Sequence, residues 1–301
     1  MITKNRLKSL STVFIFVLIF QWIGIPSSFS ADTEKAKEHY NEGIKAKQDG
    51  DIESAISAYE AAIKADPDYI DSYINLGAIY FETKEYEKAL TMFKKATEKD
   101  EKNVTAFANL GRVQYSLQRW VEAETAFKTA ISLDGKNSEL YRELGKVYYK
   151  KRDFPKVIET IVKCHELGGE DDNTYFMLGK GYQNQEKIKE AISAFKKSLE
   201  LKDSYKAHSA LGGIYLGQGK FLSAANEFKA ALKANPKGHR AAYNYAIAIQ
   251  SQNPESYDVN IKAWQDYIKL AKNNPKAKNQ VAEAQRVIKD LKEAKEKANL
   301  Q

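Results

Sequence analysis

A single cysteine among 301 residues, Cys164, leaves no partner for an intramolecular disulfide. The four histidines, His39, His165, His208 and His239, are scattered, and no His/Cys/Asp/Glu cluster has metal-ligand spacing. A phosphate-cradling glycine loop and a nucleophile elbow are also missing. Gly179-Lys180-Gly181 lies inside a helical pattern, so it is not a phosphate loop. These gaps leave no catalytic residue, no metal and no cofactor to expect. Nor is there a large excess of one charge. Forty-seven Lys and Arg stand against 40 Asp and Glu, a net charge of +7, which is a poor basis for binding nucleic acid.

The first ten residues carry Lys4, Arg6 and Lys8 and no acid. An apolar run over 13–25 follows, then Pro26-Ser27-Ser28-Phe29-Ser30-Ala31. Basic, apolar and small-residue segments in that order predict a secretory signal peptide over 1–30, cleaved after Ser30 or Ala31. Gln21 and Gly24 interrupt the run, which is shorter than the roughly 20 apolar residues of a spanning helix. The chain is therefore expected to be exported, periplasmic or secreted, and to meet a membrane only if this segment stays uncleaved. No cysteine follows the run to carry a lipid.

What is abundant is periodic. Gly43, Gly77, Gly111, Gly145 and Gly179 are evenly spaced, and Gly212 follows one residue early. The period, about 34 residues, is one that marks an array of repeated units. Tyr73, Leu76, Gly77 and Tyr80 recur as Tyr141, Leu144, Gly145 and Tyr148, and again as Tyr175, Leu178, Gly179 and Tyr182. Each set falls at i, i+3, i+4 and i+7, one face of a helix. A second series pairs a small residue with a ring four places on: Ala55 and Tyr59, Ala89 and Phe93, Ala123 and Phe127, Ala191 and Phe195, Ala224 and Phe228. Glycine in a helix costs about 1 kcal/mol relative to alanine, so its recurrence implies close approach of a partner helix. Pro67, Pro236 and Pro275 close three of the periods.

This pattern closely resembles the tetratricopeptide repeat: aromatic-x2-Leu-Gly-x2-Tyr, then Ala-x3-Phe, then Pro, over one such period. The resemblance implies an all-α fold, a right-handed superhelix (α-solenoid) of about seven helix-turn-helix units. The units run 36–69, 70–103, 104–137, 138–171, 172–204, 205–238 and 239–277, after a short linker over 31–35. A capping helix and tail fill 278–301, with Val281, Ala284, Val287, Ile288 and Leu291 on one stripe. The fourth unit carries Val157, Ile161 and Cys164 where Ala, Phe and Ala recur, so Cys164 is expected to pack as a small hydrophobe. In the seventh, Ala263, Tyr267 and Leu270 take those places, and 251–260 is expected to form a protruding loop around Pro254.

By the same resemblance, the first helix of each unit lines a concave groove that takes an extended peptide. The inward positions are Tyr40 and Ile44; Asp71, Ile74, Ala78 and Phe81; Ala108, Arg112 and Tyr115; and Glu139, Arg142, Lys146 and Tyr149. Phe176, Lys180 and Gln183 follow, then Lys206, Leu216, Arg240, Tyr243 and Ile247. Phe81, Tyr115 and Tyr149 share one structural position and suggest an aromatic ladder. Arg112, Arg142, Lys146 and Lys180 suggest a basic centre for an acidic or carboxylate-bearing peptide. The clamp that grips heat-shock chaperone termini is absent: Tyr40, Ile44, Asn75, Thr105 and Asn109 occupy its places, and only Asn75 agrees. The expected role is a non-catalytic protein-interaction scaffold of the bacterial cell envelope. A glycan- or wall-binding protein using the aromatic ladder is the alternative, and a regulatory module for a separate enzyme is a third reading.

Overall fold

The computed structural model describes residues 28–300, and every regular element in that span is helical. The expected signal segment falls outside the described residues except for its last three. The chain forms two compact units, Met1–Ser72 and Tyr73–Gln301.

The first unit holds α1 (Ser28–Gln48) and α2 (Ile52–Ala65), with the boundary falling inside α3 (Ile70–Glu82). Residues 31–35, expected as a linker, lie within α1, since Ala-Asp-Thr-Glu-Lys contains no helix breaker. α1 and α2 pack through Ala36, Ala55, Tyr59 and Ala62, all buried. Asp51 caps α2 by accepting from the Ser54 amide at 3.0 Å.

The second unit continues the hairpins. After α3 come α4 (Tyr86–Lys99), α5 (Val104–Ser116), α6 (Trp120–Leu133), α7 (Ser138–Lys151) and α8 (Phe154–Glu166). Then follow α9 (Asp172–Asn184), α10 (Ile188–Leu201), α11 (Tyr205–Gly217), α12 (Phe221–Ala234), α13 (His239–Gln252), α14 (Tyr257–Ala271) and α15 (Lys278–Asn299). From α4 onward, each second helix also packs on the first helix of the next hairpin, which makes this unit an α-solenoid.

The repeated glycines are the contact points of the hairpins. A Cβ at Gly77, Gly111, Gly179 or Gly212 would come within 2.8 Å of the Phe93, Phe127, Phe195 or Phe228 ring respectively. Those four rings are at most 1% exposed. At Gly145 the neighbour is the Ile161 Cδ1, because the fourth unit has no ring there. Val157, Ile161 and Cys164 are all buried and α8 persists. The Cys164 Sγ donates to the Ser138 carbonyl at 3.3 Å or the Gly169 carbonyl at 3.2 Å, and burial pushes its pKa up.

A second clock marks the turns within hairpins. Gly50, Lys84, Gln118, Arg152, Glu186 and Gly219 all have positive φ, and each stands seven residues after a repeated glycine. The next amide reaches back to the last helical turn, as Arg119 N does to Gln114 O at 2.9 Å and Lys187 N to Tyr182 O at 3.0 Å. Four of the six turns thus hold a long polar side chain in a conformation that suits glycine best.

The seventh hairpin differs from expectation. α13 runs to Gln252 and α14 starts at Tyr257, so the connection is the four residues 253–256 and no long loop protrudes. Asn260, fully buried, donates to the carbonyls of Asn253 at 2.9 Å and Pro254 at 3.2 Å and folds this connection down. Counted from the helix start, Asn260, Trp264 and Tyr267 stand where Ala224, Phe228 and Ala231 stand in α12. The small-large-small series is therefore Asn-Trp-Tyr, and Leu270, expected inside, is 39% exposed while Ala271 is buried. Beyond it, Ala284 and Leu291 are buried and Val281, Val287 and Ile288 pack with them, so α15 covers the last hairpin as its stripe implied.

One partly buried acid ties α6 to α7. The Glu124 carboxylate on α6 lies 2.7 Å from Lys128 Nζ, accepts from the Tyr148 hydroxyl at 3.1 Å, and pairs with Lys151. Burial opposes its charge, but the three donors prevail and hold its pKa at about 2. A pKa below the unfolded value stabilises the fold above that value, and the contribution fades as pH falls toward 2. Glu124→Gln is expected to remove about 2 kcal/mol at pH 7, after screening by solvent, and to flatten the stability profile between about pH 4.5 and 2. Urea midpoints measured across that range check it.

Candidate functional site

The first helices α3, α5, α7, α9, α11 and α13 carry the residues that the sequence placed in a groove. The second-helix rings fix their orientation from below, so positions one period apart repeat in space. The structure separates the four expected cations into two kinds.

Three are satisfied by acids of the same chain. Arg112 Nη1 donates to Asn109 Oδ1 at 3.1 Å, and its Nη2 lies 3.7 Å from Glu139 Oε1. Arg142 donates through Nη1 to the other Glu139 oxygen, and its Nε is 3.2 Å from Asp171 Oδ2. Asp171 is itself the N-cap of α9, accepting from the Thr174 amide at 2.7 Å. Lys146 Nζ rests 2.7 Å from Glu143 Oε1, a carboxylate with only 11% of its side chain exposed. Arg142 thus clips α7 to the start of α9. Arg142→Ala is expected to cost about 1–2 kcal/mol in chemical denaturation, because it strands a partly buried acid. The more exposed Arg112→Ala should cost less than about 1 kcal/mol.

Lys180 is different. Its ammonium donates to the Gln183 side-chain oxygen at 2.7 Å, and no carboxylate lies within ion-pair distance among the described residues. Burial lowers its pKa, and the positive charge of Arg152 adds to the effect. It lines a depression of about 290 Å³ together with Phe176 on α9, Tyr205, Lys206, Ser209 and Ala210 on α11, and Arg240, Ala241 and Asn244 on α13. The cations lining this depression, Lys180, Lys206 and Arg240, lie toward the C-terminal hairpins of the unit. Tyr205, Ser209, Ala210 and Asn244 were not foreseen. Their signal was present: Phe176, Ala210 and Asn244 stand one full period apart, as do Lys206 and Arg240.

The aromatic ladder does not form as a stack. Each ring turns to the aromatic residue five places on, across its own hairpin turn. Phe81 meets Tyr86 at 5.5 Å, Tyr115 meets Trp120 at 5.1 Å, and Tyr149 meets Phe154 at 6.3 Å between ring centroids. Both Tyr115 and Tyr149 are half-buried, and that burial raises their pKa. Phe176 touches both Tyr149 at 6.4 Å and Phe195 at 5.6 Å while keeping one side on the depression. Tyr243 packs edge-on to Trp264 and Tyr267, and its hydroxyl donates to Glu283 Oε2 at 2.9 Å. Burial and that carboxylate push its pKa to about 12. It secures the capping helix.

A larger cavity of about 730 Å³ lies elsewhere, lined from α6, α7 and α8 by Ile131, Leu144, Ile158 and Val162. Its rim mixes Lys128, Lys156 and Lys163 with Glu159 and Glu166, so it carries no single charge.

Three tetratricopeptide repeat models match residues 46–113, 172–205 and 209–278, together more than half of the chain. No curated protein matches the chain. Among solved structures, MamA is 28% identical, with a TM-score of 0.53 over 56% of this chain and 92% of its own. YrrB, described as a tetratricopeptide protein with an unusual peptide-binding site, is 21% identical, with a TM-score of 0.52 over 60% of this chain and 93% of its own. A tetratricopeptide repeat protein from Parabacteroides merdae is 14% identical, with a TM-score of 0.60 over 84% of this chain and 99% of its own. At such identities the last two speak for the fold alone. The glycine clock, the ring seated under five of its six glycines and the matched family models agree: the chain belongs to the tetratricopeptide repeat family.

Proposed function

We propose that this protein is a non-catalytic, exported scaffold of the cell envelope that holds an extended, carboxylate-bearing peptide segment along the first-helix face of its second unit. The family supports the coarse part, since tetratricopeptide repeats are typically interaction scaffolds that bind protein or peptide partners. One observation supports the finer part: positions one repeat apart on α9, α11 and α13 bring Phe176, Ala210 and Asn244 into one row beside uncompensated cations. Such a row suits an extended chain, whose side chains also recur at a fixed spacing. Export rests on the basic, apolar and small-residue segments over 1–31.

The glycan alternative needs exposed rings with open faces, whereas Phe81, Tyr115 and Tyr149 each spend a face on their own hairpin. Isothermal titration of the exported chain against acidic peptides and against wall oligosaccharides tests the choice. Heat from the peptides is expected; heat from the oligosaccharides alone would favour the alternative. Mass spectrometry of the exported protein tests processing, with a start at Ala31 or Asp32 expected. A chain that still begins at Met1 would make it membrane-anchored.

A further inference from the structure

We propose that the depression between α9, α11 and α13 is an anchor for a carboxylate standing next to an apolar side chain on the bound peptide. This deepens the groove reading above and rests on it.

The charge pattern carries the inference. Lys180, Lys206 and Arg240 come from three successive first helices to one depression whose lining contains no acid. None of the three has an ion-pair partner among the described residues. On α5 and α7, by contrast, Arg112, Arg142 and Lys146 each have a carboxylate at hand, from Glu139, Asp171 or Glu143. A surface that neutralises Arg112, Arg142 and Lys146 internally and leaves the next three cations open keeps their charge for something else. Like charges on neighbouring helices repel, and an anion bridging them removes that repulsion.

Polar detail at the same place agrees. The Ser209 hydroxyl oxygen is buried without a hydrogen-bond partner, and Asn244 adds an amide to the lining. An arriving carboxylate can accept from that hydroxyl, from the Arg240 fork and from the Lys180 ammonium, which burial already leaves poorly solvated. Phe176, Tyr205, Ala210 and Ala241 supply an apolar wall beside these donors. The volume of about 290 Å³ is at the small end of ligand sites, which run roughly 300–1,000 Å³. It therefore suits one anchoring residue of a longer segment, with the rest of the peptide lying along α5 and α7.

Fluorescence anisotropy with the full chain tests this, using four labelled octapeptide pools. Each pool centres on phenylalanine followed by aspartate or asparagine, with a free or an amidated C-terminus. Pools with a carboxylate are expected to bind more than about tenfold tighter than the asparagine amide, and tightness should fall with salt. The single-carboxylate pool that keeps the advantage identifies the source as a side chain or a chain end. The triple variant Lys180→Met, Lys206→Met, Arg240→Gln should bind all four pools equally, a loss of about 30-fold for the best, with unchanged far-ultraviolet circular dichroism. Lys206→Met alone, at an exposed position, should lose about threefold, and Arg112→Gln less than twofold. Equal binding of the four pools by the wild type, or discrimination retained by the triple variant, overturns the anchor. The groove reading would survive that result, and falls only if photocrosslinks from bound peptide map to the second helices.

Discussion

Phe127→Ala is expected to cost about 3–5 kcal/mol, among the largest single losses available to this chain. Its ring is fully buried under Gly111 and belongs to the core cluster with Leu144, Val147 and Tyr148, so truncation empties a space walled by two hairpins. The opposite change at the same contact gives an internal check. Gly111→Ala puts a methyl 2.8 Å from the Phe127 ring, which must shift, at about 1–3 kcal/mol. In the Phe127→Ala background that methyl enters vacated space, so its penalty should vanish and the cycle should be strongly non-additive. Urea midpoints of the wild type, both singles and the double variant measure it. Additive losses would mean that glycine and ring are not in contact. Val121→Ala, at a residue 65% exposed, should stay within about 0.5 kcal/mol.

The second large effect lies where the fourth hairpin departs from the pattern. α8 ends in a Gly168–Gly169 pair, with Gly169 N donating to Cys164 O and Gly168 N to His165 O, both at 2.9 Å. Gly168 takes the positive φ of 75° that this cap requires. Gly169 has no such need, but a Cβ there would lie 2.5 Å from Cys164 Sγ, 2.7 Å from Ser138 Cβ and 3.0 Å from a backbone oxygen. Gly169→Val is therefore expected to cost about 3 kcal/mol, since a backbone oxygen cannot move aside as a side chain can. Pairing Gly169→Ala with Cys164→Ala should recover part of the loss, as the sulfur is the nearest obstacle. Circular dichroism melts check both. A Gly169→Val variant that melts with the wild type would show that this turn is loose.

The array was readable because its signals are local. A glycine in six of the seven periods, with a ring sixteen residues later in five of them, specifies the hairpin contact without help from the rest of the chain. The apolar stripe of α15 was readable for the same reason. The turn clock was not, because Lys84, Gln118, Arg152 and Glu186 are not turn formers by type and are held in place by the helices on either side. The register of α14 was misread because Tyr267 imitates the recurrent ring, while the true equivalent is Trp264 and a buried Asn260 replaces the small residue.

The site was legible as a face and not as a set of partners. Spacing placed Arg112, Arg142, Lys146 and Lys180 on the first helices. It could not show that Asp171, from the connection before α9, reaches back to Arg142, or that Glu143 reaches Lys146. Ion pairing depends on which turns the packing brings together, and that is a tertiary fact. The same holds for the ladder, whose rings chose the aromatic across their own turn over one another.

The claim on which the functional reading turns is that partners are gripped on the first-helix face. Photocrosslinking tests it directly, with a photoreactive phenylalanine analogue placed at Ala210, on the lining of the depression, and in a second protein at Val121, exposed on α6. With the tightest carboxylate peptide bound, crosslinked product is expected from position 210 and not from position 121. Product from 121 with none from 210 would contradict it and place the binding surface on the second helices.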